Sequence, residues 1–190
     1  MLHPNDILQA PLYQPVPHPD FAGWAVCQPC TERMEMMRPH LPPKGTMIDA
    51  GCHTGFFCRE FSNMGWRVIG FDKSEDWVGV ARAMGEWDGD PKPEYRVGNI
   101  LEMDLPACDV ALCLSVAMYL FDVPDRGWSF FRQLAGKAKM TWLDFGGMYS
   151  NRLPFNEDDV CQKMKSMAGF RTCRMVGRTN FESRPLYLLE

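Results

Sequence analysis

Long apolar runs are missing from this sequence. The longest, around Val110 to Phe121, is interrupted by Cys113 and Ser115. It is far shorter than the roughly 20 residues that cross a bilayer, so no membrane span is expected. No export signal is expected either: positions 1–10 carry His3, Pro4, Asn5 and Asp6 where a positive flank and an apolar stretch would stand. Nor is there an excess of positive charge. Twenty Lys and Arg face 24 Asp and Glu, giving a net charge of −4. No Lys/Arg cluster tracks a phosphate backbone, which argues against DNA as a partner and against a broad RNA footprint. A folded RNA touched by a few basic residues, such as Arg33, Arg38, Lys44, Arg152 and Arg178, stays open.

Metal-ligand spacing is lacking as well. Cys27-Gln28-Pro29-Cys30 has the two-residue gap of a zinc or redox pair, but neither a second pair nor a His pair follows it, so no metal is expected. Of the eight cysteines, Cys52, Cys58, Cys108 and Cys113 lie in apolar-patterned segments, where a thiol behaves as a small hydrophobe. The sequence therefore reads as that of a reduced, cytoplasmic protein.

What is present is enough for one ordinary globular domain: 190 residues, 46% hydrophobic and 12% aromatic. Pro4, Pro11, Pro15, Pro17 and Pro19 leave residues 1–24 as an arm without a long regular element. Met34, Met37 and Leu41 recur at helical spacing until Pro42-Pro43 ends the pattern. An alternation follows. Strands are predicted at Met47–Asp49, Arg67–Phe71, Tyr95–Val97, Asp109–Leu114 and Lys139–Leu143. Helices are predicted at Phe56–Met64, closed by Gly65, at Asp76–Met84 behind a Ser74 N-cap, at Gly127–Leu134, and at Glu157–Ala168, closed by Gly169. Thr172–Val176 and Leu186–Leu189 have no room for a crossover helix between them, so they should pair antiparallel. The predicted fold class is α/β, a three-layer sandwich on a mostly parallel seven-stranded sheet with one reversed strand.

In such a sheet ligands bind beyond the carboxyl ends of the strands. The first strand leads into Asp49-Ala50-Gly51-Cys52-His53-Thr54-Gly55-Phe56, where two glycines let backbone approach a ligand. Asp72 ends the second strand 23 positions after Asp49, close to the spacing at which a carboxylate meets a ribose diol. His53 and Phe56 occupy the second and third glycine positions of a dinucleotide fingerprint, which disfavours NAD and FAD, and no Gly-Lys-Ser/Thr follows to make a phosphate loop.

These residues resemble the class I S-adenosylmethionine-dependent methyltransferases, whose first motif is an acidic residue followed by a Gly-x-Gly-x-Gly turn. Asp49, Gly51 and Gly55 match it, and His53 replaces the middle glycine. The resemblance implies a Rossmann-like fold and S-adenosylmethionine as cofactor, leaving S-adenosylhomocysteine. It implies a cofactor-lining set of Asp49, Gly51, Cys52, His53, Gly55 and Phe56 from the first turn, with Asp72 and Lys73 from the second. Asn99 and Ile100 would follow from the third, where Asn99 replaces the usual aspartate at the adenine amine, and Leu114 and Ser115 from the fourth. Tyr13-Gln14, Gly23 and Glu32-Arg33 resemble the arm of a subgroup that includes the tRNA uridine carboxymethyl transferase type and glycan-associated methyltransferases. Residues 1–44 are accordingly expected to form an arm and helix that fold over the active site as a lid, and residues 45–190 the methyltransferase domain.

Methyl transfer is an in-line displacement that demands alignment more than a strong base. If an acceptor hydroxyl must lose its proton, the candidates are Tyr119, His53 and Asp144. Tyr13, His18, Arg33 and Tyr119 are the expected contacts to substrate. The leading expectation is methylation of a small molecule or sugar, at oxygen; tRNA methylation and a non-catalytic cofactor-binding or activating subunit are the alternatives.

Overall fold

The buried parallel strands form where apolar residues run without alternation, because such a strand is covered on both faces. In the computed structural model β1 (Thr46–Ala50) and β2 (Arg67–Asp72) are buried along nearly their whole length. The structure describes residues 8–9, 11–17, 19–28, 30–85, 92–145 and 153–190. They fall into two compact units, Met1–Asn99 and Ile100–Glu190.

In the first unit, α1 (Cys30–Met37) runs into a 3-10 turn at Arg38–His40 and precedes β1. Between β1 and β2 lies α2 (Phe56–Asn63), and between β2 and β3 (Glu94–Val97) lies α3 (Glu75–Gly85). All pairing is parallel, with Ile48 opposite Ile69 and Phe71 opposite Arg96. Gly65, at φ 80°, ends α2 as predicted, and Trp66 then packs edge-on against Phe61. The arm belongs to this unit. Its residues Leu8, Leu12 and Phe21 form one buried cluster with Val80 and Met84 of α3.

The second unit holds β4 (Cys108–Cys113), α4 (Ala117–Leu120), α5 (Pro124–Lys137), β5 (Ala138–Asp144), α6 (Val160–Lys163), β6 (Cys173–Arg178) and β7 (Pro185–Leu189). β4 and β5 pair parallel; β7 pairs antiparallel with both β5 and β6, the latter through a bulge between Met175 and Gly177. The strand order β3-β2-β1-β4-β5-β7-β6 gives the predicted seven-stranded, mostly parallel sheet with a reversed strand in its C-terminal hairpin.

Two details differ from expectation. The helix predicted at Glu157–Ala168 is three pieces: a 3-10 turn at Glu157–Asp159, then α6, then a π-helical turn at Met164–Ala168. Its buried residues Val160, Met164 and Ala168 recur every four positions, a spacing that drifts about 40° per step on an α-helix. The wider π turn swings back the other way and keeps them on one face. The second difference corrects the reading of a fully reduced chain: Cys161 and Cys173 are joined by a disulfide, their Cα atoms 5.1 Å apart. Among the described residues, no helix is long and apolar enough to cross a membrane.

Candidate functional site

The turn from β1 to α2 passes through Gly51 at φ 87°, His53 at φ 51° and Gly55 at φ 79°. Left-handed backbone is free for glycine and costly for a residue with a β-carbon. At position 55 packing makes a second demand, since an added Cβ would lie 2.8 Å from Cε1 of Tyr95 and against its hydroxyl. The Gly51 and Cys52 N–H groups donate to the Phe71 carbonyl at 2.7 and 2.9 Å, which ties the turn to the end of β2.

Asp72 stands where the two turns meet. Its Oδ2 accepts the His53 N–H and its Oδ1 the Ser74 N–H, both at 2.9 Å. Each oxygen keeps a lone pair beyond those bonds, the capacity needed to accept two vicinal hydroxyls. The Ser74 hydroxyl accepts the Trp77 N–H at 3.3 Å, the predicted N-cap of α3. Gly98 donates to the Asp72 carbonyl at 2.8 Å, so the exit of β3, and with it Asn99, comes to the exit of β2. Lys73 is exposed on the same turn. Glycine backbone in the first turn, and in the second a carboxylate with spare acceptor capacity and an indole, fit an adenosyl group.

The acidic residue of the first motif is fully buried. Burial pushes the Asp49 carboxyl up to about 7, against the smaller opposing effect of the Cys58 thiol, which donates to its Oδ2 at 3.5 Å. Cys52 turns its thiol into the core, where a Cβ on Gly70 would meet both cysteine sulfurs. His53 stacks on Trp77, 4.2 Å away, and meets the tilted ring of Tyr13 at 4.6 Å. Burial lowers its imidazole to about 4, so at neutral pH it is uncharged and weakly basic.

Sequence reasoning missed Gln14 as a component of this turn. Its Oε1 accepts both the Thr54 hydroxyl at 3.0 Å and the Phe56 N–H at 3.2 Å, from 40 residues away. Only the resemblance of Tyr13-Gln14 to a subgroup's arm drew attention to that stretch. Arg33, expected to face substrate or a basic rim, is instead 2% exposed with its guanidinium over the Phe57 ring. Packing on α1 places it there. His18 and Arg152 lie outside the described residues.

In the second unit, Ile100 and Leu114 are buried. Ser115, at φ 57°, donates to Asp144 Oδ1 from both its N–H and, at 3.2 Å, its hydroxyl. Asp144 is wholly buried, and the Ser115 hydroxyl also receives Arg184 Nη1 at 3.3 Å. Arg184 Nε in turn donates to Glu182 at 2.8 Å. Glu182 and Ser183 share the left-handed conformation, at φ 55° and 48°. Tyr119, by contrast, is 46% exposed while its neighbours Met118, Leu120 and Phe121 are buried.

Residues 48–139 match the family model of the methyltransferase domain. The chain is 29% identical over 110 residues to the O-antigen chain terminator bifunctional methyltransferase/kinase WbdD of Escherichia coli, covering 52% of this chain and 15% of that protein. It is 33% identical over 78 residues to the ubiquinone biosynthesis O-methyltransferase of a Bradyrhizobium strain, covering 40% of this chain and 30% of that one. In fold it matches a crystal structure of WbdD with a TM-score of 0.79 at 23% identity, over 98% of this chain and 46% of the other. It also matches the magnesium protoporphyrin IX methyltransferase of Synechocystis PCC 6803, with bound S-adenosylmethionine, at a TM-score of 0.64 and 21% identity, over 85% of this chain and 77% of that one. The chain thus spans less than a third of the curated relatives named here. Turn, carboxylate, sheet order and family match together identify a class I, S-adenosylmethionine-dependent methyltransferase domain.

Proposed function

We propose that this chain transfers a methyl group from S-adenosylmethionine to an oxygen of a small molecule or sugar. The observation that carries the reading is Asp72, fixed by the backbone of both cofactor turns with acceptor capacity to spare. Bound there, S-adenosylmethionine supplies an electrophilic methyl on its sulfonium. Asp72 would hold the ribose hydroxyls, Trp77 would lie along the adenine, and the backbone from Gly51 to Gly55 would admit the methionyl portion.

Support for the acceptor comes from the second unit. A pocket of about 880 Å³ lies at the carboxyl end of β5, lined by Phe145, Phe155 and the connection from β6 to β7, where parallel sheets place ligands. Its three basic residues, Lys163, Arg178 and Arg184, are balanced by Glu157, Asp159 and Glu182, with Arg178 paired to Glu157 and Arg184 to Glu182. Two phenyl rings and balanced charge pairs suit a neutral ring bearing several hydroxyls better than an anion. Of the residues expected from the sequence on the acceptor side, His53 is a weak base and Asp144 already serves Ser115, so we assign the exposed Tyr119 to hold the acceptor by a hydrogen bond from its hydroxyl, with the acceptor's proton passing to solvent.

Calorimetric titration with S-adenosylhomocysteine tests the cofactor reading. Wild-type protein should bind, and Asp72→Ala should bind at least 30-fold more weakly, about 2 kcal/mol; equal affinities would remove Asp72 from the site. Incubation with labelled methyl donor and cell extract, followed by separation into RNA, protein and small molecules, tests the acceptor. Label confined to RNA would overturn the small-molecule reading.

A further inference from the structure

The N-terminal arm meets the cofactor turn and the start of α2 at four points. Gln14 Oε1 accepts the Thr54 hydroxyl and the Phe56 N–H, so a single arm oxygen holds both sides of Gly55. Arg59 of α2 works from within: its Nη1 donates to the Thr54 carbonyl, and its Nη2 donates to the arm's Pro15 carbonyl at 3.2 Å. Tyr13 of the arm packs tilted against the His53 ring, on which Trp77 is stacked. Gln14, Thr54 and Arg59 are all buried.

Buried polar groups of this kind need their partners, since a donor stripped of its acceptor keeps the full cost of leaving water. With the arm detached, the first N–H of α2, the Thr54 hydroxyl and one arm of the Arg59 guanidinium would all lose their acceptors. His53 would lose a ring that covers it in a left-handed conformation. A lid that swings away during each turnover would have to break all of these bonds.

We propose that Gln14, with Thr54 and Arg59, is a positioning residue that fixes the cofactor turn, and that the arm is a standing strut which sets cofactor affinity rather than a gate that opens and closes. The proposal rests on the reading of residues 51–55 as the cofactor turn, and it predicts effects on binding that do not need the acceptor to be known.

The test compares wild type with Gln14→Leu, which removes the acceptor at similar size, Gln14→Glu, which restores one, and Thr54→Val, which removes the facing hydroxyl at constant shape. S-adenosylhomocysteine affinity by calorimetry should fall at least tenfold in Gln14→Leu and Thr54→Val and return to within threefold of wild type in Gln14→Glu. Affinity unchanged in both deletions, or lost equally in Gln14→Glu, overturns the strut. A second readout needs no ligand. The imidazole of His53, one of four in the chain, should titrate by NMR near 4 in wild type and at least one unit higher in Gln14→Leu and in the surface variant Tyr13→Ala. If its midpoint stays put in both, the arm does not hold the turn. Failure of wild type itself to bind S-adenosylhomocysteine would strike the cofactor reading, and the NMR titration would still decide the strut.

Discussion

Replacing Asp49 with asparagine should expose a pH dependence that the wild-type chain conceals. Burial lifts Asp49 to about 7 in the folded protein, against about 4 in an unfolded chain. Its contribution to stability is therefore complete below pH 4 and is lost as pH rises toward 7. His53 runs the other way. Burial lowers it to about 4, against about 6.5 unfolded, so its contribution is complete above pH 6.5 and is lost as pH falls toward 4. Each group changes stability by about 1.4 kcal/mol per pH unit inside its window, with opposite sign, so in the overlap the two nearly cancel. Over the 1.5 units from about pH 5 to about pH 6.5, Asp49→Asn should therefore gain about 2 kcal/mol relative to wild type. His53→Asn, which keeps a residue tolerant of left-handed backbone, should lose about 2 kcal/mol over the same interval. Urea unfolding at several pH values measures this directly, because taking each variant minus wild type removes the titration of every other group. A difference that stays constant across the interval for Asp49→Asn would refute the burial argument; a difference of opposite sign would refute the linkage.

Three further outcomes are expected. Gly55→Ala combines a left-handed backbone with a collision against Tyr95 and should cost at least about 2 kcal/mol; if trimming Tyr95 in the double variant recovers none of it, the collision is not the cause. Gly127→Ala in α5 would bring a Cβ to 2.7 Å from the Leu120 carbonyl, so thermal unfolding should occur several degrees lower, and an unchanged midpoint would show that α4 yields freely. Reduction, or Cys161→Ser, opens a loop of 12 residues and should lower stability by roughly 3 kcal/mol, read as a shift in urea midpoint with and without reductant; identical midpoints would mean the thiols are not joined in solution.

The sheet was legible because its signals are local. Gly65 and Gly169 close segments at the predicted places, each at positive φ, and the short span between the last two strands dictated their antiparallel pairing. The turn from β1 to α2 was legible for the same reason, since two glycines and a carboxylate 23 positions on leave a mark in one dimension. What escaped was long-range or nonperiodic. Nothing in a proline-rich arm announces that Gln14 will cap a helix 42 positions later. A helix of four residues such as α4 is too short to display a period. Arg33 carries the same letter whether it reaches solvent or lies over Phe57; its burial follows from how α1 seats. The Cys161–Cys173 bond depends on a helix and a strand meeting, which cysteine counting does not reveal.

The docking of Leu8, Leu12 and Phe21 onto Val80 and Met84 reaches beyond catalysis. Trimming the protein to begin at residue 45 would strip α3 of its covering and leave an oily stripe facing water, a surface of the sort that makes proteins stick to one another. Light scattering of such a shortened chain should reveal clumping that the full chain does not share, so the leading residues double as a built-in solubiliser of the body they precede.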